Sequence, residues 1–493
     1  MESYKLFPRK KNTLTKIAFG FFILFVAFQV AILSVNIRST FQFALVSFIF
    51  IILLSYIFWR KAMGVLIIWV LISGAVRKWL VPQFSDIVYF FNFIILTGIY
   101  LRFFWNRIAK QDPLIQKHFI NPFIAIFLFW GFCCALNPLI PNLIIGIVGL
   151  LLYFYYIPLA YVVPYCFETT EELIKYLRIF IYLSIPILFL GIVQFFNPVN
   201  APINLYVPGD AKEIATTGIN IVRITSTFSY ISGYGTYLNV LILILVYLLS
   251  LKNISTKFTM FLYITLSLAI VNLFMTGSRG PFFITLISII FYILLTGVMG
   301  THQLKVFLPR LLLGVLIIFL LLSFTSFGKH AVSSFMSRNT TNEDIIPRLV
   351  DTYTTPLKFA KYVGVYGIGI GSTYQGVLAL IGRKLAFTRM TREFEEEPER
   401  IVLETGVVGF VIAYLTRLVI LIAFWNLFRS LNNNTLRLFA LIPFFFQIQF
   451  LLGLNVLIFN HTSHLFFWFM VGFLFTLSKL DTKESKQFIH AKT

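Results

Sequence analysis

The sequence predicts an all-α polytopic membrane protein with about fourteen transmembrane helices. The 493 residues are 59% hydrophobic and only 12% charged, and the mean hydropathy of +0.87 lies far above the soluble globular range. No single compact core has room for so much apolar surface, so lipid must solvate part of it. The apolar residues also fall in runs of about 20, the length that crosses a bilayer as a helix, whereas a β-barrel shows short alternating segments.

The apolar runs give the predicted helices in chain order. The first follows the basic segment MESYKLFPRKK, and no A-x-A-like cleavage site comes after it, which argues against a removable signal peptide. We expect the runs to form a single transmembrane domain over 1–493. The predicted spans are 17–36, 41–58, 63–80, 86–105, 121–137, 140–163, 178–197, 229–250, 257–275, 281–298, 306–327, 401–427, 438–457 and 462–478.

Two polar segments interrupt the spans. They cover 197–228 and 328–400, and the second concentrates much of the remaining charge. A structureless loop of that length is uncommon inside a compact protein, so we expect the second segment to contain short helices. The stretch IPRLVDTYTTPLKFAKY within it predicts an amphipathic helix at the membrane surface.

Basic residues set the predicted orientation. Lys and Arg cluster in alternate connections, on the side of the N-terminus, and basic residues resist translocation. Both termini are therefore predicted to be cytoplasmic, and both polar segments to lie outside. The same bias accounts for the net charge of +21 without a nucleic-acid partner, leaving membrane lipids as the expected surroundings.

A few basic residues lie on the predicted outer side, against this bias. Such residues are candidates for function because insertion disfavours them, although helix-end residues that reach the interface are the alternative, and that explanation suits Arg38. The exceptions are Arg38, Arg77, Lys78, Lys212, Arg223 and Arg279.

Arg279 lies in FMTGSRGPFF, a sharp turn between two apolar runs. Gly277 and Gly280 allow close backbone approach, Ser278 adds a donor, and Pro281 suits the first turn of a helix. Anions are favoured at helix N-termini, so the turn predicts a site for an outward-facing phosphate or diphosphate. The alternative is a turn whose arginine caps neighbouring carbonyls or touches lipid headgroups.

Arg223 lies in a second turn of this kind, VRITSTFSYISGYG, just before a predicted span. Three consecutive hydroxyls at 225–227 accompany the arginine, and two glycines follow, which favours an anion-binding or sugar-binding turn. A third basic position, Arg77 in RKWLVP, lies at the outer end of the third span. Interface anchoring alone explains the neighbouring Trp79.

Acidic residues crowd the start of the twelfth span, in TREFEEEPERIVLETG. A charge run is usually a solvated face, yet a carboxylate beside an arginine site is suited to act as a general base or to position a hydroxyl. His461 and His464 are weaker base candidates. No His, Cys or carboxylate set has a metal-ligand spacing, so neither a metal nor a cofactor is predicted. GIGIG at 367–371 lacks the GxGxxG spacing and predicts a flexible turn.

These motifs together resemble the O-antigen ligase and O-antigen polymerase superfamily. The matching elements, in order, are R-x-T-S-T-F at 223–228, TGSRG at 276–280, the glycine turn at 367–371 and E-T-G-V-V-G at 404–409. The match covers most of 197–478, and RKWLVP is also similar to a ligase-like exopolysaccharide subgroup. The resemblance implies a C-type glycosyltransferase fold in the bacterial inner membrane, acting at the periplasmic face on an undecaprenyl-diphosphate-linked oligosaccharide donor.

The resemblance also assigns roles to individual residues. Arg223 and Arg279 match the two family arginines that hold the diphosphate and neutralise the leaving group, a task suited to a planar, permanently charged donor. Such charge stabilisation needs no metal. The supporting residues are Gly277, Ser278, Gly280, Arg77, Arg348 and Glu404, of which Glu404 opens the E-x-G motif.

The sequence departs from the family pattern at the position of the expected catalytic base. Family ligases carry a histidine about nine residues before the E-x-G, and Glu395 occupies that position here. We therefore expect Glu395, Glu396, Glu397 or Glu399 to assist the nucleophile, and we favour a polymerase or a specialised exopolysaccharide enzyme over a lipid A–core ligase.

The expected function is that of an inverting glycosyltransferase whose acceptor is a glycan or another hydroxyl compound. A flippase for lipid-linked glycans, or another polysaccharide transporter, is the alternative. Arg417, deep in the twelfth apolar run, is the residue that favours it, since transporters place charges within the membrane. A structural subunit with a decayed site is the third hypothesis.

Overall fold

The computed structural model describes residues 40–82, 85–207, 221–252, 254–299, 301–336, 350, 352–354, 356–358, 360, 363–374 and 397–490. Several sequence predictions lie outside these ranges. They are the first span at 17–36, the outer basic residues Arg38 and Lys212, the supporting residue Arg348 and the candidate bases Glu395 and Glu396. Each of these stays a prediction.

The described residues form helices joined by turns. In chain order the helices are α1 (Thr40–Ile57), α2 (Trp59–Ala75), α3 (Ser85–Ala109), α4 (Asn121–Ala135), α5 (Leu143–Phe154), α6 (Leu159–Val162), α7 (Thr170–Phe196), α8 (Ile231–Ser250), α9 (Thr256–Met275), α10 (Arg279–Met299), α11 (Thr301–Phe324), α12 (Ser326–Met336), α13 (Glu397–Ser430), α14 (Asn434–Leu451) and α15 (His461–His490).

Within those ranges, eleven helices are long and apolar enough to cross a membrane. The prediction of an all-α polytopic membrane protein is confirmed at that level. Each predicted span from 41–58 onward overlaps a described helix, because an apolar run of about 20 residues is a strong local signal. The count of about fourteen and the helices of the 328–400 segment stay predictions.

The chain divides into two compact units. One contains residues 1–69 and 90–114, and the other contains 70–89 and 115–493. Within the first unit, Gly98 of α3 packs directly on α1, where an added Cβ would lie 2.4 Å from the Ile52 carbonyl oxygen. The Trp69 and Phe91 rings also meet there, with centroids 4.4 Å apart. All candidate site residues within the described ranges lie in the second unit.

The centre of the second unit is α8. All of its residues except Ser232 are buried, and most of the apolar stretch of α15 is buried as well. Capping side chains fix several surrounding helix ends: Thr169 accepts from the Glu172 amide at the start of α7, and Asn433 accepts from two amides at the start of α14. The buried α8 therefore provides a rigid support for the segment that precedes it, residues 221–230.

Three local backbone features shape the region around that segment. A π-helical turn at Val76–Leu80 extends α2, Gly277 adopts a φ of +60° between α9 and α10, and Gly406 breaks α13 with φ +70° and ψ −177°. π-helical turns and left-handed residues recur at functional sites because they re-aim side chains that regular helices would direct elsewhere.

Candidate functional site

Arg223 lies against the turn that contains Arg279. Its Nε donates to the Thr276 carbonyl oxygen and its Nη2 donates to Ser278 Oγ, both at 3.0 Å. The backbone follows the same path, since Ile224 N donates to the Met275 carbonyl oxygen at 3.4 Å. The two arginine motifs, far apart in sequence, thus form one structure.

Arg279 is the first residue of α10 and its side chain is half-buried. Among the described residues, its guanidinium has no hydrogen-bond or ion-pair partner, whereas Arg223 is tied to the turn. Gly280 lies so close to the chain after α14 that an added Cβ would be 3.0 Å from the Leu454 carbonyl oxygen. The positive φ of Gly277 confirms the predicted sharp turn.

Lys78 and Arg77 hold the segment that follows Arg223. Lys78 is buried, and its Nζ donates to Thr225 Oγ1 at 2.9 Å and to the Ser226 carbonyl oxygen at 2.7 Å. Arg77 Nη1 donates to Ser229 Oγ at 3.0 Å. Neither cation forms an ion pair with a described carboxylate, so both charges are satisfied by neutral oxygens there.

Gln194 of α7 fixes the same segment from the other side. Its Oε1 accepts from the amides of Thr225 and Ser226, at 3.2 and 2.6 Å, and its Nε2 donates to the Ile203 carbonyl oxygen. Ser226 itself has a φ of +49°, a strained conformation that persists only when its surroundings enforce it. Gln194 and Lys78 supply that enforcement.

Gly74 of α2 allows the backbone of residues 227–229 to pack closely against this helix. An added Cβ there would lie 2.3–2.5 Å from backbone atoms of Thr227, Phe228 and Ser229. Thr227 Oγ1 also donates to the Leu71 carbonyl oxygen at 2.5 Å. The hydroxyls at 225–227, which the sequence suggested as ligand-binding groups, therefore serve in part to dock this segment on α2.

The glycine turn 367–371 packs on the break in α13. Ile368 N donates to the Leu403 carbonyl oxygen at 2.8 Å, and Gly369 N donates to that of Glu404 at 3.0 Å. An added Cβ at Gly406 would lie 1.9 Å from the Val365 carbonyl oxygen, so only glycine fits. The turn is thus closely packed, and the expectation that it is flexible does not describe this arrangement.

Glu404 is fully buried at this break. Its Oε1 accepts from the Thr373 amide at 2.8 Å and from Thr373 Oγ1 at 2.5 Å. Arg400 in turn donates from Nε to Thr373 Oγ1 and from Nη2 to the Thr373 carbonyl oxygen, both at 3.0 Å. Thr373 therefore links the E-x-G motif to a half-buried arginine one helical turn earlier.

Glu397, a candidate base, is engaged by other groups. It forms a buried ion pair with Arg417, and its Oε2 accepts from the amides of Leu457 and Ile458. Arg417 Nη1 donates to the Phe450 carbonyl oxygen at 2.9 Å, at the end of α14. The role of base for Glu397 stays a prediction, but its carboxylate already has cationic and amide partners. Glu399 is half-buried.

The two histidines lie inside the protein. His461 hydrogen-bonds through Nδ1 to Tyr156 Oη at 3.0 Å, and its ring lies 3.8 Å from the Tyr89 ring, centroid to centroid. His464 Nε2 accepts from Trp468 Nε1 at 2.9 Å. Both are buried.

Sequence reasoning missed the residues that hold the site together. Lys78 was noted only for its sidedness, and Gln194, Thr373 and Arg400 were given no role. Two of these residues carried a signal, Lys78 as a basic residue on the predicted outer side and Gln194 as a polar residue near the end of an apolar run. Within the described part of the chain, no three His, Cys, Asp or Glu residues are grouped to hold a metal ion. No protein-family model matches the chain, and neither does any curated protein sequence.

Proposed function

We propose that the protein is an inverting membrane glycosyltransferase, a polymerase or a ligase. It transfers a glycan from an undecaprenyl-diphosphate-linked donor to a sugar acceptor during polysaccharide or O-antigen assembly. The contact of Arg223 with the Thr276–Gly280 turn carries this proposal, because it joins two arginines at the start of one helix.

The arrangement suits a diphosphate. Arg279 has a guanidinium without a partner among the described residues, at a helix N-terminus where amides and the helix dipole favour anions. Arg223 is held in place by Thr276 and Ser278. A planar guanidinium binds two phosphate oxygens at once and keeps its charge at any physiological pH.

The proposed chemistry is a single displacement at the anomeric carbon. An acceptor hydroxyl oxygen forms the new glycosidic bond as the bond to the diphosphate oxygen breaks, so the electron pair of that bond leaves on the diphosphate. Arg223 and Arg279 stabilise the negative charge that develops on the leaving group. The hydroxyl proton passes to a carboxylate.

That carboxylate is one of Glu395, Glu396, Glu397 and Glu399, as the sequence suggests. Of the two within the described ranges, we favour Glu399, since Glu397 is buried in its pair with Arg417. Glu404 is better suited to support, because Thr373 engages its Oε1 and the break in α13 surrounds it.

Arg417, the residue that favoured a transporter, has structural partners. Arg417 favoured it as an isolated charge inside the membrane, yet Arg417 pairs with Glu397 and caps the end of α14. A cation at a helix C-terminus interacts favourably with the free carbonyls there. The pair therefore has a sufficient structural role.

Purified protein in detergent separates the two classes of function. We expect it to transfer glycan from a purified lipid-linked oligosaccharide to acceptor, with a ladder of products for a polymerase and one product for a ligase. Detergent abolishes compartments, so a transporter gives no product in this assay. Absence of product with donor and acceptor from the native cells would contradict the proposal.

A further inference from the structure

A stacked pair of half-buried aromatic rings and a third half-buried ring lie beside the candidate site. The Tyr89 and Tyr374 rings are stacked, with centroids 6.2 Å apart and an interplanar angle of 27°. Phe459 lies on the chain that leads into α15, close to Tyr153. Each of the three keeps part of its surface accessible. The group formed by Tyr89, Tyr374, Phe459, Arg77 and Arg400 is called the Tyr89 cluster below.

A guanidinium lies over each of two of these rings, whereas none lies over Tyr374 among the described residues. Arg77 Cζ lies 4.9 Å from the Tyr89 centroid, and Arg400 Cζ lies 3.5 Å from the Phe459 centroid. Arg400 also bonds to Thr373, the chain neighbour of Tyr374. The acceptors of Arg77 are oxygens of Ser85 and Ser229, and those of Arg400 are oxygens of Thr373. These bonds fix both guanidiniums and leave each with further donors.

The Tyr89 cluster is connected to the diphosphate turn by a short piece of chain. Arg223 contacts that turn, and Ser229, six positions later, accepts from Arg77. Six residues span at most about 20 Å when extended, and the turn at Ser226 shortens this path. A ligand of a few sugar units is long enough to reach from one to the other.

We propose that the Tyr89 cluster is the binding subsite for a saccharide unit of the acceptor. A pyranose ring has an apolar C–H face, which packs on aromatic rings, and a rim of hydroxyls, which accept from fixed guanidinium donors. The Tyr89 cluster provides both the aromatic rings and the guanidinium donors. This assignment rests on the proposed function, because it identifies the sugar-bearing partner of the same reaction.

Direct binding of a saccharide without diphosphate tests the subsite. The probe is the glycan acceptor of the native cells, which for a polymerase is the repeat unit released by mild acid from its lipid-linked form. Its binding is measured by saturation-transfer NMR on the full-length protein in detergent. We expect binding by the wild type and by Tyr374→Phe, which keeps the ring, and affinity about fivefold weaker or worse for Tyr374→Ala. Tyr182→Ala, which removes an exposed tyrosine from the middle of α7, should bind as the wild type does.

The two assays distinguish failure of the proposed subsite from failure of the proposed reaction. No saturation transfer to the wild type, or equal affinity of Tyr374→Ala and wild type, overturns the subsite, whatever the transfer assay gives. Loss of affinity in Tyr374→Ala, with no glycan transfer by the wild type, upholds the subsite and overturns the proposed reaction. Arg279→Ala should leave binding of this diphosphate-free probe unchanged.

Discussion

Arg223 Nη2 donates to Ser278 Oγ at 3.0 Å, although 55 positions separate the two residues in the chain. The contact places the hydroxyl-rich segment before α8 on the glycine turn before α10. It brings Arg223 to the glycine turn that contains Arg279. Two further residues, Lys78 and Gln194, hold the Arg223 segment in the conformation that this contact requires.

The first prediction concerns that support. Lys78→Met and Gln194→Leu each remove hydrogen bonds to Thr225 and Ser226, and each leaves buried polar groups without partners at a cost of about 1–3 kcal/mol. We expect at least a tenfold loss of kcat in the glycan-transfer assay, because Arg223 loses its fixed position. Folded protein should still be recovered, as judged by size-exclusion chromatography.

Double-variant kinetics distinguish positioning from general destabilisation. Lys78 and Gln194 act on the same two residues, so the loss in the double variant should fall well short of the product of the single losses. Lys257→Met, at the opposite end of α9 from the Thr276–Gly280 turn, serves as the control and should keep full activity. Unchanged kcat in both single variants would contradict the positioning role.

The second prediction concerns the break in α13. Gly406→Ala places a Cβ 1.9 Å from the Val365 carbonyl oxygen at a φ of +70°, so we expect a loss of more than about 3 kcal/mol of folding free energy or no folded protein. Gly64→Ala in α2 is the matched control, since nothing lies within 4 Å of its added Cβ. Thermal unfolding followed by tryptophan fluorescence measures both, and equal midpoints would contradict the break.

The third prediction concerns the buried ion pair. Glu397→Gln leaves the Arg417 charge buried without a carboxylate, which costs about 3–5 kcal/mol. Thermal unfolding should show the loss as a lower midpoint. Adding Arg417→Met to Glu397→Gln should recover part of it, because the uncompensated charge is then gone. A midpoint for Glu397→Gln equal to that of the wild type would show that the pair is not formed.

The fourth prediction concerns Thr373, which joins Glu404 to Arg400. Thr373→Val keeps the shape but removes the hydroxyl, so Glu404 loses one donor and Arg400 loses one acceptor. We expect lower stability by about 1–3 kcal/mol, whereas Thr373→Ser keeps the hydroxyl and most of the stability. Equal unfolding midpoints for Thr373→Val and Thr373→Ser would show that the hydroxyl link is absent.

The sequence predicted the helices and the turns better than the contacts between them. Apolar runs and the glycines at 277 and 280 are local signals, so α8, α9 and the Arg279 turn were foreseeable. The break at Gly406 was not foreseeable. A glycine inside a continuous apolar run gives the same sequence pattern whether it is helical, as Gly64 is in α2, or adopts a left-handed conformation. Pairing of Glu397 with Arg417 depends on that break.

The separation of Glu397 and Arg417 along the chain shows why their pairing depends on the break at Gly406. Twenty positions separate the two residues, which is about 30 Å along a straight helix, so their contact requires the chain to fold back at Gly406. Likewise, the partners of Gln194 and Lys78 are set by helix packing, which no periodicity in a single chain reveals.

The most direct test of the central claim is the rate of glycan transfer by Arg279 variants. With purified lipid-linked donor in detergent, we expect Arg279→Ala and Arg223→Ala each to lower kcat/KM by about 10²–10³-fold, and Arg279→Lys to lose less because it keeps the charge. Arg178→Ala removes an exposed arginine in the first half of α7, whereas Gln194 lies near the end of this helix, and the variant should match the wild type. Wild-type rates in both Arg279→Ala and Arg223→Ala, at equal amounts of folded protein, would contradict the diphosphate clamp.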